Sequence, residues 1–173
     1  ELSSKAYGEK SVEVADAYNK LGEVFISSGL YSDARDCFVN SLNLRITLLG
    51  ILNANTAESY NNIGAAYLYM GKYEEGLEYL KKALDIKLSI SNDNDIINVD
   101  TYNNIGYAYG KLDKHEDAIE ILNKALKIQL VEFGENHPDT ALTYTNLGNI
   151  YQNKSKYAEC LDLQKKALRI RIN

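Results

Sequence analysis

Apolar residues along this chain recur at helical spacing, and the same arrangement appears four times. Between positions 60 and 67, Tyr60, Ile63, Gly64 and Tyr67 follow the i, i+3, i+4, i+7 stripe of an amphipathic helix. Gly71 comes where such a helix needs a residue able to take positive φ in order to stop. A second stripe follows at Tyr73, Gly76, Leu77, Leu80, Ala83 and Leu84. The pattern therefore predicts two helices joined by a tight turn. Tyr18, Tyr60, Tyr102 and Tyr144 repeat at a constant step, since 60 − 18, 102 − 60 and 144 − 102 all equal 42. Gly22/Gly64/Gly106/Gly148, Leu21/Ile63/Ile105/Leu147, Phe25/Tyr67/Tyr109/Tyr151, Ala34/Gly76/Ala118/Cys160 and Leu42/Leu84/Leu126/Leu168 keep that step. Six columns in register over four copies define a repeat.

The predicted fold is all-α, with about four antiparallel helix pairs in repeats 14–55, 56–97, 98–139 and 140–173 of a single domain. Residues 49–55, 91–98 and 133–140 gather Gly, Asn, Asp and the one Pro, and read as linkers between pairs. Glycine in a helix interior costs about 1 kcal/mol relative to alanine. Its recurrence at 22, 64, 106 and 148 predicts helices too close for a side chain. Tyr7-Gly8-Glu9 aligns with Phe133-Gly134-Glu135, because 134 − 8 = 126 = 3 × 42. Residues 1–13 are accordingly read as the tail and linker of a preceding repeat, and a chain that starts on Glu1 as a segment of a longer one.

Composition narrows the function. Of 173 residues, 45% are hydrophobic and 25% charged, which suits a folded domain and excludes wholesale disorder. No run approaches the roughly 18 apolar residues of a membrane helix, and the start lacks the apolar core of a signal peptide. A net charge of −5 argues against nucleic acid and anionic membrane surfaces, whose binding faces are basic. Fourteen Tyr and no Trp follow from the columns, where tyrosine is the large packing residue.

Little in the chain suggests catalysis, and it is not expected to be an enzyme. His115 stands in the column of Tyr31, Tyr73 and Tyr157, a packing position at the start of a second helix. His137-Pro138-Asp139 falls in a linker, where Asp139 or Thr140 is expected to cap the next helix. Asp93-Asn94-Asp95 lacks the glycine and distant glutamate of a calcium loop. Cys37 and Cys160 lie three repeats apart. With helices about 8–10 Å apart their separation exceeds the roughly 7 Å limit of a disulfide, so both read as reduced fillers in a cytoplasmic protein. No Cys/His cluster has metal-ligand spacing, and no cofactor is expected. Asn153-Lys154-Ser155, a glycosylation triplet, is expected by chance in an Asn-rich chain.

The repeat columns resemble the tetratricopeptide repeat family, whose signature runs W-x₂-L-G-x₂-Y, then A-x₃-F, then A, with Tyr here in place of the first Trp. The 42-residue period, Tyr-Asn-Asn-Ile-Gly at 60–64 and 102–106, and Gly-Glu-Asn-His-Pro-Asp-Thr at 134–140 are similar to the kinesin light chain type. The resemblance covers about residues 14–173. Ser41 departs from it where Ala83, Ala125 and Ala167 stand, as does Gln164 at an apolar core position. It implies a right-handed α-solenoid whose first helices line a concave groove for a protein or peptide ligand.

At about 100° per residue, the arc opposite the buried stripe carries Glu58, Asn62, Ala65 and Tyr69. The equivalent rows are Asp16, Lys20, Glu23 and Ser27, then Asp100, Asn104, Tyr107 and Lys111, then Leu142, Asn146, Asn149 and Asn153. Helix interiors disfavour asparagine, yet Asn62, Asn104 and Asn146 share one column. An amide both donates and accepts, so this column reads as a ladder for a peptide backbone. The expected groove residues are Lys20, Glu58, Asn62, Tyr69, Asp100, Asn104, Tyr107, Lys111, Asn146, Asn149 and Asn153. Lys20 and Lys111 are outnumbered by Asp16, Glu23, Glu58 and Asp100, which disfavours a clamp for acidic tails and favours basic or aromatic ligands. The function expected is a non-catalytic scaffold for an extended peptide or partner helix. Alternatives are an accessory domain of a larger enzyme or signalling protein, and a structural element that self-associates weakly through uncapped ends.

Overall fold

A computed structural model describes residues 10–172, and every element in it is helical. Helices α1 (Val12–Ser27) and α2 (Tyr31–Leu49) form the first pair, and α3 (Ala54–Tyr69) and α4 (Tyr73–Ile90) the second. A 3₁₀ turn (Ile96–Asn98) leads into α5 (Val99–Lys111) and α6 (His115–Glu132), followed by α7 (Pro138–Asn153) and α8 (Tyr157–Ile172). The predicted tail at 1–13, with its Tyr7-Gly8-Glu9 alignment, lies mostly outside the described residues. The chain divides into two compact units between Ser91 and Asn92, α1–α4 in one and α5–α8 in the other.

The 42-residue period reaches the backbone itself. Gly29, Gly71, Asp113 and Ser155 share one column, and all four have positive φ, at 75°, 74°, 57° and 57°. One residue further on, the amides of Leu30, Lys72, Lys114 and Lys156 each donate to the carbonyl five residues back, on Phe25, Tyr67, Tyr109 and Tyr151. This is the left-handed turn that closes a helix by capturing one of its last carbonyls. Glycine takes it without strain in the first two pairs, and Asp113 and Ser155 hold it in the last two.

Helix starts are periodic too. Asn53, Asp95 and His137 occupy one column and cap the following helical segments, accepting from the amides of Asn55 (2.9 Å), Ile97 (3.1 Å) and Asp139 (3.2 Å). The cap expected at Asp139 or Thr140 is thus His137 Nδ1, with Pro138 in the first turn, where its missing N–H costs nothing. Thr140 has another task. Its hydroxyl donates to the Gly134 carbonyl, as Thr56 Oγ1 does to Gly50 and Asn98 Nδ2 to Asn92, so each buried side chain folds its linker back on the helix. The 3₁₀ turn at Ile96–Asn98 replaces the first α-turn found in the equivalent helices α3 and α7.

Each unit has its own core. In the first, Ala34, Phe38, Leu42, Ile63 and Ala66 are buried together, with Tyr60, Tyr67 and Tyr79 packed against them. In the second, Ala118, Leu122, Leu147 and Ile150 form one cluster and Ala141, Tyr144, Ala167 and Ile170 another. The mid-helix glycines sit where the sequence placed them, at the crossing inside each pair. A Cβ on Gly64 would stand 2.7 Å from Leu80 Cγ and 3.1 Å from the Gly76 carbonyl oxygen. In the last pair Gln164 fills the place taken by Leu80 and Leu122, and its side chain lies over Gly148. Among the described residues no helix is long and apolar enough to cross a membrane, and Cys37 and Cys160 are free thiols.

Candidate functional site

The predicted groove residues sit on the first helices of the pairs. Lys20, Glu58, Tyr69, Asp100, Tyr107, Lys111, Asn149 and Asn153 are exposed, while Asn62, Asn104 and Asn146 are half-buried. In the second unit five of them converge, while Asp100 and Asn104 stand outside the lining. Tyr107 and Lys111 from α5 and Asn146, Asn149 and Asn153 from α7 line a shallow depression of about 60 Å³, floored by Gly110 and Ile150. Lys111 Nζ lies over the Tyr107 ring at 5.3 Å, a cation–π pair that holds both at the rim. Gly110 lets the Ile150 side chain pack against α5 at the floor, because a Cβ there would collide with Ile150 Cδ1. Asn149 accepts from Gln164 Nε2 at 3.2 Å. The polar residue that replaced a core leucine in α8 thus supports an asparagine at the rim.

In the first unit the predicted residues have partners of their own. Asn62 Nδ2 donates to Asn19 Oδ1 at 2.9 Å, and Asn19 Nδ2 donates to Glu23 Oε1 at 2.9 Å. Tyr69 stacks on Tyr31 with ring centroids 5.3 Å apart.

Glu58 and Asp16 flank a buried arginine that the sequence reading did not single out. Arg45, at the end of α2, is 3% exposed. Its Nη1 donates to the Asn55 carbonyl (2.7 Å), Ser59 Oγ (2.9 Å) and Glu58 Oε2 (3.0 Å), and its Nη2 to Asp16 Oδ1 (2.8 Å). A guanidinium with several fixed donors suits a seam between three helices better than a lysine would. The position in the second unit equivalent to Arg45 is Gln129, also buried. There Leu142 stands where Glu58 does, although Asp100 keeps the acid of Asp16, and the buried amide takes a hydroxyl as its partner. Thr143 Oγ1 lies 2.7 Å from Gln129 Oε1 and 2.9 Å from Asn103 Oδ1. A hydroxyl has one proton, so it donates to one amide oxygen and accepts from the NH₂ of the other amide turned end for end.

A second column was also missed. Asn19, Asn61 and Asn103 are all buried. They bracket the seams between successive first helices, Asn19 reaching α3 and Asn103 reaching α7. The doublets Asn61-Asn62 and Asn103-Asn104 were the available signal, because adjacent residues lie about 100° apart and the first of each falls next to the buried column of Tyr60 and Tyr102.

The other chemical candidates take structural roles. Tyr102 donates to Asp93 Oδ1 at 2.6 Å, and burial together with that bond pushes its phenol well above the usual range. Asp93 also lies 3.9 Å from Lys124 Nζ, so this acid anchors its linker. Burial raises the Cys37 thiol, which keeps it a poor nucleophile. Lys154 pairs with Glu116 and holds that carboxyl below its ordinary value. No group of three metal-capable side chains occurs among the described residues.

Paired helices with the same turn, the same linker tie and the same glycine crossing at a 42-residue step define a helical repeat protein of the α-solenoid class. The tetratricopeptide repeat family matches residues 13–89 and 98–173, and the chain belongs to that family. Among solved structures it is similar in fold to BtubC (BKLC) from P. vanneervenii, at 22% identity and a TM-score of 0.77, over 92% of this chain and 63% of that one. It is likewise similar to a variant of a Podosopora anserina kinesin light chain-like protein with nearly identical TPR-like repeats, at 16% identity and a TM-score of 0.74, over 98% of this chain and 80% of that one. MamA matches at 24% identity with a TM-score of 0.63, over 98% of this chain and 83% of that one. The chain thus spans less than two thirds of the BtubC chain. No curated protein sequence matches it.

Proposed function

We propose that this chain is a non-catalytic, cytoplasmic scaffold that binds an extended segment of a protein partner on the exposed faces of its first helices. The observation that carries the reading is the depression bounded by Tyr107, Lys111, Asn146, Asn149 and Asn153. Three amides, one ring and one cation converge on a space that admits a single small side chain or a peptide group. Amides answer both the N–H and the C=O of a backbone, which favours an extended ligand over a folded one. In the first unit Lys20 and Tyr69 are exposed beside Glu58, while Asn62 is bonded to Asn19.

The charge argument changes with the contacts. Asp16 and Glu58 are paired with Arg45, and Glu23 accepts from Asn19. The expected pull on basic ligands therefore shrinks, and stacking on Tyr107 and Tyr69 contributes more of the selectivity. Each neutral hydrogen bond contributes about 0.5–1.5 kcal/mol, so replacing Asn146, Asn149 and Asn153 together by alanine should weaken binding by roughly ten- to a thousand-fold. The test is to select binders from a library of unstructured peptides with the wild-type chain, then measure their affinity for the triple variant by fluorescence anisotropy. Unchanged affinity with unchanged helicity would place binding on another surface.

A further inference from the structure

The first unit fills a groove that the second leaves open. On α4, Tyr79 stacks on Tyr67 of α3 with ring centroids 5.4 Å apart, and its centroid lies 6.3 Å from that of Tyr60. The ring packs on the core that holds Leu42 and Ile63, with Val39 of α2 on the same core. Two repeats on, 163 − 79 = 84 = 2 × 42, the column of Tyr79 holds Leu163. The walls are kept, since Leu126 stands for Leu42, Leu147 for Ile63 and Tyr151 for Tyr67. Leucine has no ring to lay on Tyr151, and these four side chains line a groove of about 430 Å³. That falls within the roughly 300–1,000 Å³ of pockets that hold small ligands. The groove lies on the flank that α8 turns to α6 and α7, as α4 turns Tyr79 to α2 and α3, so its walls are complete within the second unit.

The rim carries the polar groups. Asn123, in place of Val39, and Glu159 also line the groove, and both are exposed. Asp162 is taken by Lys166 at 3.5 Å, whereas Glu159 makes no ion pair among the described residues. Lys156 Nζ lies 5.9 Å from the Tyr151 centroid but outside the lining. An amide beside a ring answers a phenol hydroxyl, and an uncommitted carboxylate answers a neighbouring cation.

We propose that this groove receives a tyrosine side chain of a partner protein, its ring laid on Tyr151 as Tyr79 lies on Tyr67, with a basic residue beside it facing Glu159. The chain itself supplies the template for the occupant. The groove shares no residue with the depression at Tyr107 and Asn149, so it stands or falls apart from the function proposed above.

Titration of the isotope-labelled chain with the capped peptide Gly-Tyr-Arg-Gly, followed through amide shifts by heteronuclear NMR, tests it. The amides of Asn123, Tyr151, Glu159 and Leu163 should shift and saturate in the millimolar range, while those around Tyr79 stay put. Gly-Leu-Arg-Gly lacks the ring and should bind about two- to ten-fold more weakly. Leu163→Tyr supplies the ring from within, as Tyr79 does, and should weaken binding by roughly ten-fold or more. Glu159→Lys, at an exposed position that leaves the fold alone, should weaken the arginine peptide by about two- to five-fold and strengthen Gly-Tyr-Glu-Gly. The dispersion of each spectrum reports whether the variant is folded. Absence of any shift overturns the proposal, as do shifts that fall on Tyr107 and Asn149 instead. So does equal affinity for the leucine peptide, or affinity unchanged in folded Leu163→Tyr or in Glu159→Lys.

Discussion

Substituting Gly64 tests how close the helices of one pair lie. An alanine Cβ there would be 2.7 Å from Leu80 Cγ, 2.9 Å from Leu80 Cδ2 and 3.1 Å from the Gly76 carbonyl oxygen, where ordinary contact begins near 3.4 Å. The helices must therefore separate by a few tenths of an ångström. Leu80 is fully buried and cannot swing aside, and the Gly76 oxygen belongs to the α4 backbone. Alanine recovers about 1 kcal/mol of helix propensity against an overpacking cost of about 1–3 kcal/mol, so Gly64→Ala should destabilise by roughly 0–2 kcal/mol. Gly64→Leu carries three further carbons into the same seam and should cost about 2–3 kcal/mol net, or more. For a chain of this size 1 kcal/mol moves the melting temperature by about 2–4 °C, so the leucine variant should melt roughly 4–12 °C lower.

Two controls isolate the cause. Gly71 has open space around its Cβ position but a φ of 74°, so Gly71→Ala should cost about 1–2 kcal/mol through backbone strain alone. Lys82 is exposed, with its Nζ 5.3 Å from the Tyr79 ring, and Lys82→Gln should stay within about 0.5 kcal/mol. Melting curves by far-ultraviolet circular dichroism decide the matter. A Gly64→Leu chain that melts with Lys82→Gln refutes the packing argument.

Two further tests concern polar anchors. Arg45→Ala removes four charge-assisted bonds but leaves Asp16 and Glu58 half-exposed and able to regain water, so it should cost about 2–3 kcal/mol; Arg45→Lys should fall between it and wild type, read from urea midpoints. Tyr102 keeps its proton more tightly when folded than when unfolded, so its contribution is complete below the unfolded value near 10 and is lost as pH rises above it. The unfolding midpoint should therefore drop in alkali, and Tyr102→Phe should flatten that drop; an identical alkaline slope would argue against the buried phenol.

The repeat, the helix pairs, the linkers and the glycine crossings were legible because each depends on local rules that recur every 42 residues. The exposed faces of the first helices were legible only in part. Taking Tyr60, Ile63, Gly64 and Tyr67 as the whole buried arc treated the first helix as covered on one side. In the fold α3 also loses Thr56, Ser59, Asn61 and Ala66 to neighbours, so Asn61, some 100° from Tyr60, is buried. That second contact depends on how successive pairs pack, which no single helix encodes. Arg45 escaped notice for the same reason: an arginine near a helix C-terminus reads as a solvated cation until three helices close around it. Conversely, 3.6-residue spacing alone aligns Asn146, Asn149 and Asn153 on α7, where they line one depression.

The Asn62–Asn19 bond spans 43 residues, and it is the longest-range side-chain hydrogen bond described above. A ribosome adding about 5–20 residues per second covers one 42-residue step in roughly 2–8 s. Helix pairs form far faster than that, and each meets its preceding neighbour within a single further step of synthesis. A nascent chain of this design needs no distant segment before its first core can close, so the apolar faces it exposes to the cell during translation are limited at any moment to about one pair.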